Sequence, residues 1–212
     1  MRKLPVYLLL DTSGSMFGEP IEAVKNGVQT LVAALRQDPY ALETAYLSVI
    51  TFDNGARQVV PLTELANFQM PNIQAQGQTC MGDALKLLAQ KVDTEVARTT
   101  AEVKGDWKPI VFMMTDGTPT DDLAAGLAAI RSKKFGMIIA CAAGANANVD
   151  SLRQITESIV SLDTADSSTI SAFFKWVSAS ISTGSQKVEA SGKEVAGLQE
   201  LPPPPPEINI VV

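Results

Sequence analysis

The chain has 212 residues, of which 46% are hydrophobic and 19% are charged, and its formal net charge at pH 7 is −6. These values are typical of one globular domain with an additional segment. The acidic balance argues against a protein that binds nucleic-acid backbones, because such binding needs a basic surface. The sequence contains no histidine, which excludes histidine-based catalytic triads and histidine metal ligands.

The remaining global features concern location and redox state. No stretch approaches the roughly 18 uninterrupted apolar residues of a membrane span, and Asp11 interrupts the apolar run after the basic N-terminus. We therefore assign no signal peptide and expect a cytoplasmic protein without a membrane partner. Cys80 and Cys141 match no zinc spacing, so we expect two buried, reduced thiols, although the sequence leaves a disulfide open.

Apolar strands and amphipathic helices alternate along most of the chain. Helices are predicted at about residues 19–36, 82–100, 120–134, 150–158 and 168–182. Strands are predicted at residues 6–10, 45–52, 57–62, 110–114, 137–142 and 159–162. The polar stretch between the third strand and the second long helix is predicted to be irregular.

This alternation predicts an α/β fold. Continuously apolar strands separated by helices indicate a parallel sheet that is covered on both faces. The Asn54-Gly55 turn returns residues 57–62 antiparallel to the preceding strand, and Pro61 confines that strand to an edge. We therefore expect a doubly wound, mostly parallel, Rossmann-like sheet with one antiparallel edge strand, whose functional site lies at the carboxyl ends of the strands.

The composition changes after Gly184. Residues 185–212 are polar at first, then contain five consecutive prolines at 202–206, and end in an apolar stretch at 208–212. We divide the chain into a domain at 1–184 and a separable, proline-rich tail at 185–212. The proline run is expected to be a stiff polyproline II spacer or a ligand for an aromatic groove. The apolar end could pair with a sheet edge or dock onto a partner.

The motif Asp11-Thr12-Ser13-Gly14-Ser15 directly follows the first predicted strand. It supplies one carboxylate and two hydroxyls, which are hard oxygen donors that suit Mg²⁺. Alone the pattern is weak, because Asp and Ser are common in turns. Two distant residues add further oxygen donors: Thr79 precedes the second long helix, and Asp116 follows the most apolar strand. Each has an ordinary alternative, since Thr79 could cap the helix and Asp116 could form a turn.

With these motifs in place, the chain resembles the von Willebrand factor A domain family over about residues 4–182. In that family the corresponding positions form the metal-ion-dependent adhesion site. The resemblance implies that Ser13, Ser15 and Thr79 contact Mg²⁺ or Mn²⁺ directly or through water. It implies that Asp11 and Asp116 hold the ion mainly through waters or hydroxyls, and that a partner carboxylate completes the shell.

The sequence of residues 9–21 is most similar to the bacterial TerY-like tellurium-resistance subgroup. Membership in that subgroup implies a stress-response system with a kinase-like and a phosphatase-like protein partner. We accordingly predict a metal-dependent protein-interaction module, not an enzyme, that binds an Asp or Glu of a protein partner. Four further acids are expected near the rim of the site as helix N-terminal carboxylates. They are Glu19, Asp83, Asp121 and Asp122.

Two alternatives remain at this point. A Mg²⁺-dependent phosphatase-like hydrolase of the haloacid-dehalogenase type also places an Asp after its first strand, but its acid–base Asp would occupy the position of Ser13. The second alternative is a purely structural metal site. No dinucleotide-binding or phosphate-binding glycine motif follows a strand, so a nucleotide-binding enzyme is not indicated.

Overall fold

The computed structural model describes residues 2–211, and Met1 and Val212 lie outside the described part. Seven strands form one sheet in the order β3-β2-β1-β4-β5-β6-β7. The strands are β1 Leu4–Asp11, β2 Ala45–Phe52, β3 Ala56–Glu64, β4 Ile110–Thr115, β5 Met137–Ala143, β6 Ile159–Leu162 and β7 Asn209–Val211. The helices are α1 Glu19–Leu35, α2 Pro39–Thr44, α3 Met81–Glu95, α4 Leu123–Arg131, α5 Val149–Arg153 and α6 Ser167–Ser191.

The sheet is mostly parallel, as predicted. Strand β1 pairs parallel with β2 and β4, and β5 and β6 continue the parallel order. Strand β3 pairs antiparallel with β2 at one edge, which confirms the predicted return after the Asn54-Gly55 turn. The opposite edge carries a second antiparallel strand, because β7 pairs with β6. The apolar chain end therefore pairs with a sheet edge, one of the two outcomes that the sequence left open.

Both faces of the sheet are covered by helices. In β1, Val6, Leu8 and Leu10 pack into the core beneath α1 and α6, whereas Tyr7 and Leu9 pack into the core beneath α3 and α4. Alternate side chains of a strand point to opposite faces, so a strand buried on both faces is apolar throughout. None of the helices within residues 2–211 is long and apolar enough to cross a membrane.

Several helices differ from the sequence prediction. Helix α3 ends at Glu95 instead of near residue 100, and α5 is shorter than the predicted 150–158. Helix α2 was not predicted, although its start is well marked. The Asp38 side chain accepts hydrogen bonds from the backbone N–H groups of Tyr40 and Ala41, and Pro39 occupies the first turn.

Helix α6 is the largest departure, since it runs to Ser191 and not to the predicted end at residue 182. Gly184 lies buried inside this helix and does not end it. The helix ends instead at Gly192, whose φ of 63° lies in the left-handed region.

The segment after α6 packs against the domain. Helix α6 crosses the boundary predicted at residue 184, and Val195, Leu201 and Ile208 are buried beyond it. The Trp176 indole N–H donates a hydrogen bond of 2.8 Å to the carbonyl oxygen of Pro202. The proline run therefore lies along α6 as part of the folded body, and not as the free spacer expected from composition. Cys80 and Cys141 are free and buried, as predicted.

Candidate metal centre

The predicted site residues lie on three loops at the carboxyl edge of the sheet. Asp11 ends β1 and Thr115 ends β4, and these strands are neighbours with Leu10 opposite Met114. Asp116 begins the loop after β4, while Thr79 lies two residues before the start of α3. The parallel order of β1 and β4 therefore brings the two aspartates, distant in sequence, to one edge of the sheet.

The Asp11 carboxylate is the most buried acid of the site, with 1% of the residue surface exposed. Its Oδ1 accepts a hydrogen bond of 2.8 Å from the backbone N–H of Ser13. Its Oδ2 accepts a hydrogen bond of 2.5 Å from the Thr115 hydroxyl. Both oxygens have a donor, so the carboxylate is held in one orientation despite its burial.

A chain of hydroxyls connects the first loop to the loop after β4. The Ser13 and Ser15 hydroxyl oxygens lie 3.0 Å apart, and the Ser15 hydroxyl donates to Asp116 Oδ1 over 2.7 Å. Ser13 is buried, whereas Ser15 is exposed. The cluster of oxygens thus extends from the interior at Asp11 to the surface at Ser15.

Thr79 completes the predicted set from a third loop. Its backbone is fixed by Thr120, because its N–H donates to the Thr120 hydroxyl over 3.1 Å and its carbonyl accepts from the Thr120 N–H over 3.0 Å. The residue is buried, and its Oγ1 lies 3.2 Å from the position that a Cβ on Gly117 would occupy. The same Cβ would lie 4.0 Å from Asp11 Oδ2. Gly117 therefore leaves room between the Thr79 hydroxyl and the Asp11 carboxylate.

Within the described residues, the charge of the two aspartates is not balanced by a paired basic side chain. None of the ion pairs within residues 2–211 involves either carboxylate. Burial raises the pKa of Asp11, the hydrogen bonds from Ser13 and Thr115 oppose that rise, and the negative charge of Asp116 adds to it. Burial also raises the pKa of Asp116, against the hydrogen bond from Ser15. Two clustered carboxylates next to three hydroxyls fit a divalent cation with hard-oxygen preference.

Two buried residues support this cluster, and neither is marked by the sequence pattern. Thr115 was given no role, yet it is fully buried and holds Asp11. Asp53 was not singled out at all. It is 3% exposed, accepts from the Thr12 hydroxyl over 3.2 Å, and its backbone carbonyl accepts from the N–H of Cys80 over 2.9 Å. Asp53 thus joins the first loop to the segment that carries Thr79.

Three of the rim acids bind backbone N–H groups at helix starts. Asp121 accepts from the N–H groups of Gly82 (2.9 Å) and Asp83 (2.7 Å) at the start of α3, and Asp122 caps α4. Glu19 accepts from the N–H of Ser167 at the start of α6. These contacts match the predicted role of helix N-terminal carboxylates.

Ligand atoms of Cys80, Asp83 and Asp121 lie within 4.8 Å of one another, but their contacts argue against a second metal centre. Both oxygens of Asp121 accept from backbone N–H groups. Lys86 already pairs with Asp83 over 3.1 Å.

Comparison with known proteins identifies the class to which this fold and site belong. The family model of the von Willebrand factor type A domain matches residues 6–175, and the chain therefore belongs to this family. The curated proteins include a relative that is 33% identical over 123 residues, the uncharacterized protein sll0103 of Synechocystis sp.. The match covers 55% of this chain and 26% of that relative, so the chain spans about a quarter of its length.

Solved structures show the same fold at low identity. A von Willebrand factor type A protein from Catenulispora acidiphila has a TM-score of 0.64 at 18% identity, over 86% of this chain and 43% of that chain. The minor pilin PilB from Streptococcus sanguinis, a D319A mutant, has a TM-score of 0.66 at 12% identity, over 91% and 64%. Proximal thread matrix protein 1 from the mussel byssus, with a zinc-occupied MIDAS motif, has a TM-score of 0.56 at 20% identity, over 84% and 45%.

Proposed function

We propose that this chain is a metal-dependent protein-interaction module. Asp11, Ser13, Ser15, Thr79 and Asp116 would hold a divalent cation, and the cation would bind an Asp or Glu side chain of a protein partner. The observation that carries this proposal is the convergence of five oxygen-bearing side chains from three loops. Their two carboxylates take part in none of the ion pairs within the described residues.

The donor set also supports the choice of metal and ligand. All five side chains offer hard oxygens, which favours Mg²⁺ or Mn²⁺. The zinc-occupied MIDAS motif of the mussel protein supports a divalent cation at the corresponding place in this fold. Two aspartates balance the charge of such an ion and the three hydroxyls add none. When bound, the cation would supply the positive charge that attracts a further carboxylate.

We also propose a biological setting for this interaction. The sequence of residues 9–21 supports a cytoplasmic TerY-like protein of a tellurium-resistance or stress-response system. Its partner would then be a kinase-like or phosphatase-like protein that presents an acidic residue. Purified complexes with candidates of each kind, prepared with Mg²⁺ and with EDTA, would identify which partner depends on the metal.

We further propose that the chain is not an enzyme. Ser13 stands where a haloacid-dehalogenase-type phosphatase would carry its acid–base Asp, and its hydroxyl is within hydrogen-bond distance of that of Ser15. The purified protein with Mg²⁺ should therefore hydrolyse neither phosphoesters nor nucleotides. Turnover that disappears in Asp11→Asn would favour the phosphatase-like alternative.

Thermal unfolding tests the metal site directly. A ligand that binds only the folded state adds about 2.7 kcal/mol at a hundred times its dissociation constant, which corresponds to a rise in Tm of roughly 5–10 °C for a chain of this size. Asp116→Ala should abolish the rise, because it removes one of the two carboxylates. Asp83→Ala is the matched control, since Asp83 lies near the site but pairs with Lys86. An equal response in wild type and Asp116→Ala would reject the assigned site.

A further inference from the structure

Phe17 has the largest exposed fraction, 79%, among the exposed large hydrophobic residues of the described chain. Scattered apolar residues on a surface are ordinary and need no explanation. Phe17 differs in its position, because it follows Ser15 by two residues. It therefore stands beside the exposed end of the candidate metal centre.

The backbone holds Phe17 in place. Residues Gly14–Met16 form a short 3-10 turn, in which the N–H of Met16 donates to the Ser13 carbonyl over 3.0 Å. The N–H of Phe17 donates to the Gly14 carbonyl over 3.2 Å. The Met16 side chain is fully buried and anchors the turn. An aromatic ring on such an ordered turn loses little backbone freedom when a partner covers it.

The loops around the centre carry acidic side chains, and the nearest basic side chains, Arg57 and Lys86, are already paired with Asp53 and Asp83. The loops at residues 12–18, 72–80, 116–122 and 144–148 contain no Lys or Arg. Asp121 and Asp122 lie on the third of these loops, and Glu19 directly follows the first. A bound cation would add a positive charge beside these carboxylates. A partner segment with several acids would place the additional ones against these carboxylates.

We propose that Phe17 is a specificity-determining residue of the metal-dependent interaction. The recognised partner segment carries a single carboxylate for the cation, an apolar or aromatic side chain within two or three residues of it, and no further acid nearby. The spacing follows from chain geometry, since Phe17 is two residues from Ser15 and two residues span at most about 7 Å. This inference rests on the proposed function and names the chemistry of its partner.

A peptide-display selection tests the inference and does not require the partner to be identified. A random peptide library is selected on immobilised protein in Mg²⁺, using wild type, Phe17→Ala, Tyr40→Ala and Asp116→Ala. Tyr40→Ala is the matched control, because Tyr40 is an aromatic residue that is 45% exposed. It lies on α2, which leads into the amino end of β2, at the opposite edge of the sheet from the centre.

Wild type and Tyr40→Ala should enrich peptides with one acid next to an apolar residue and deplete peptides with several acids. Phe17→Ala should keep the preference for the acid but lose the apolar preference. An enriched peptide, measured by fluorescence polarisation, should bind Phe17→Ala about tenfold more weakly than wild type, as for an aromatic interface anchor. The stabilisation by Mg²⁺ should be the same in both proteins, because Phe17 is not a metal ligand.

The outcomes separate the two proposals. In one outcome, wild type selects acidic peptides and Asp116→Ala does not. The role of Phe17 alone is then overturned if wild type shows no apolar preference, or if that preference persists in Phe17→Ala. Enrichment of multiply acidic peptides would also overturn it. The absence of any Mg²⁺-dependent preference for an acid in wild type would reject the metal-dependent interaction and the role of Phe17 with it.

Discussion

Thr115→Val removes a single hydroxyl from beneath the metal centre and keeps the shape of the side chain. In the wild type this hydroxyl donates to Asp11 Oδ2 over 2.5 Å and accepts from the N–H of Gly117 over 3.2 Å. Thr115 itself is fully buried. The substitution therefore leaves a buried carboxylate with one of its two protein donors.

The expected loss of stability is large because the acceptor of this hydrogen bond, the Asp11 carboxylate, is charged. A hydrogen bond to a charged group contributes about 1.5–3 kcal/mol to stability, compared with about 0.5–1.5 kcal/mol for a neutral one. We expect Thr115→Val to lower the free energy of unfolding by about 2–3 kcal/mol, which lowers Tm by roughly 4–12 °C. The affinity for Mg²⁺ should fall by about 10–100-fold, as for other residues that orient metal ligands.

Thr44→Val is the control for this experiment. Thr44 is 1% exposed, and its hydroxyl donates over 2.7 Å to the neutral carbonyl of Tyr40, away from the metal centre. Thr44→Val should lower the free energy of unfolding by about 0.5–1.5 kcal/mol and leave Mg²⁺ binding unchanged. Urea unfolding measures the stabilities, and calorimetric titration of metal-free protein with Mg²⁺ measures the affinities. Equal losses of stability and unchanged Mg²⁺ affinity in both variants would refute the role of Thr115.

Three further outcomes are expected. Gly27→Ala would place a Cβ 2.2 Å from the Phe174 ring. Urea unfolding should therefore show a net loss of about 1–3 kcal/mol in the free energy of unfolding, despite a helix-propensity gain of about 1 kcal/mol. Gly55→Ala is the control and should be nearly neutral, because no atom lies within 4 Å of the added Cβ. Because burial raises the pKa of Asp116, its contribution to metal-free stability is present in acid and is lost as pH rises above about 4. Asp116→Asn should therefore gain stability relative to wild type between about pH 4 and pH 7, as unfolding without metal would measure. Trp176→Phe removes the hydrogen bond that holds the proline run and should speed limited proteolysis after residue 192, as mass spectrometry of the fragments would show.

The sequence was sufficient to place the candidate oxygen donors at one edge of the sheet, because their positions follow a local rule. Asp11 and Asp116 come at the ends of apolar strands, and parallel strands bring such positions to one edge. The supporting contacts follow no such rule. Asp53 precedes Asn54-Gly55 and has the sequence context of an ordinary turn residue, and its link to Thr12 depends on how two loops meet. Tertiary contacts of this kind leave no periodic signal in one sequence.

The packing of the segment after α6 could not be predicted from composition. Gly184 has the sequence context of a helix end, but it lies inside α6, and a second glycine, Gly192, ends the helix. Glycine occurs at both kinds of position, and only the neighbours decide between them. The proline run likewise indicates an extended conformation but not what it lies against. Its contact with Trp176 depends on the position of α6, which composition does not encode.

The antiparallel direction of β7 has a practical consequence for attachment. Val211 lies opposite Ile159, at the start of β6, while Lys3 precedes the start of β1. Both described chain ends therefore emerge at the amino edge of the sheet, and Asp11 lies at the carboxyl edge. A tag, a fused polypeptide or a sensor surface joined at either end would be on the far side of the molecule. Such a tether would leave the candidate metal centre facing outward, away from the point of attachment.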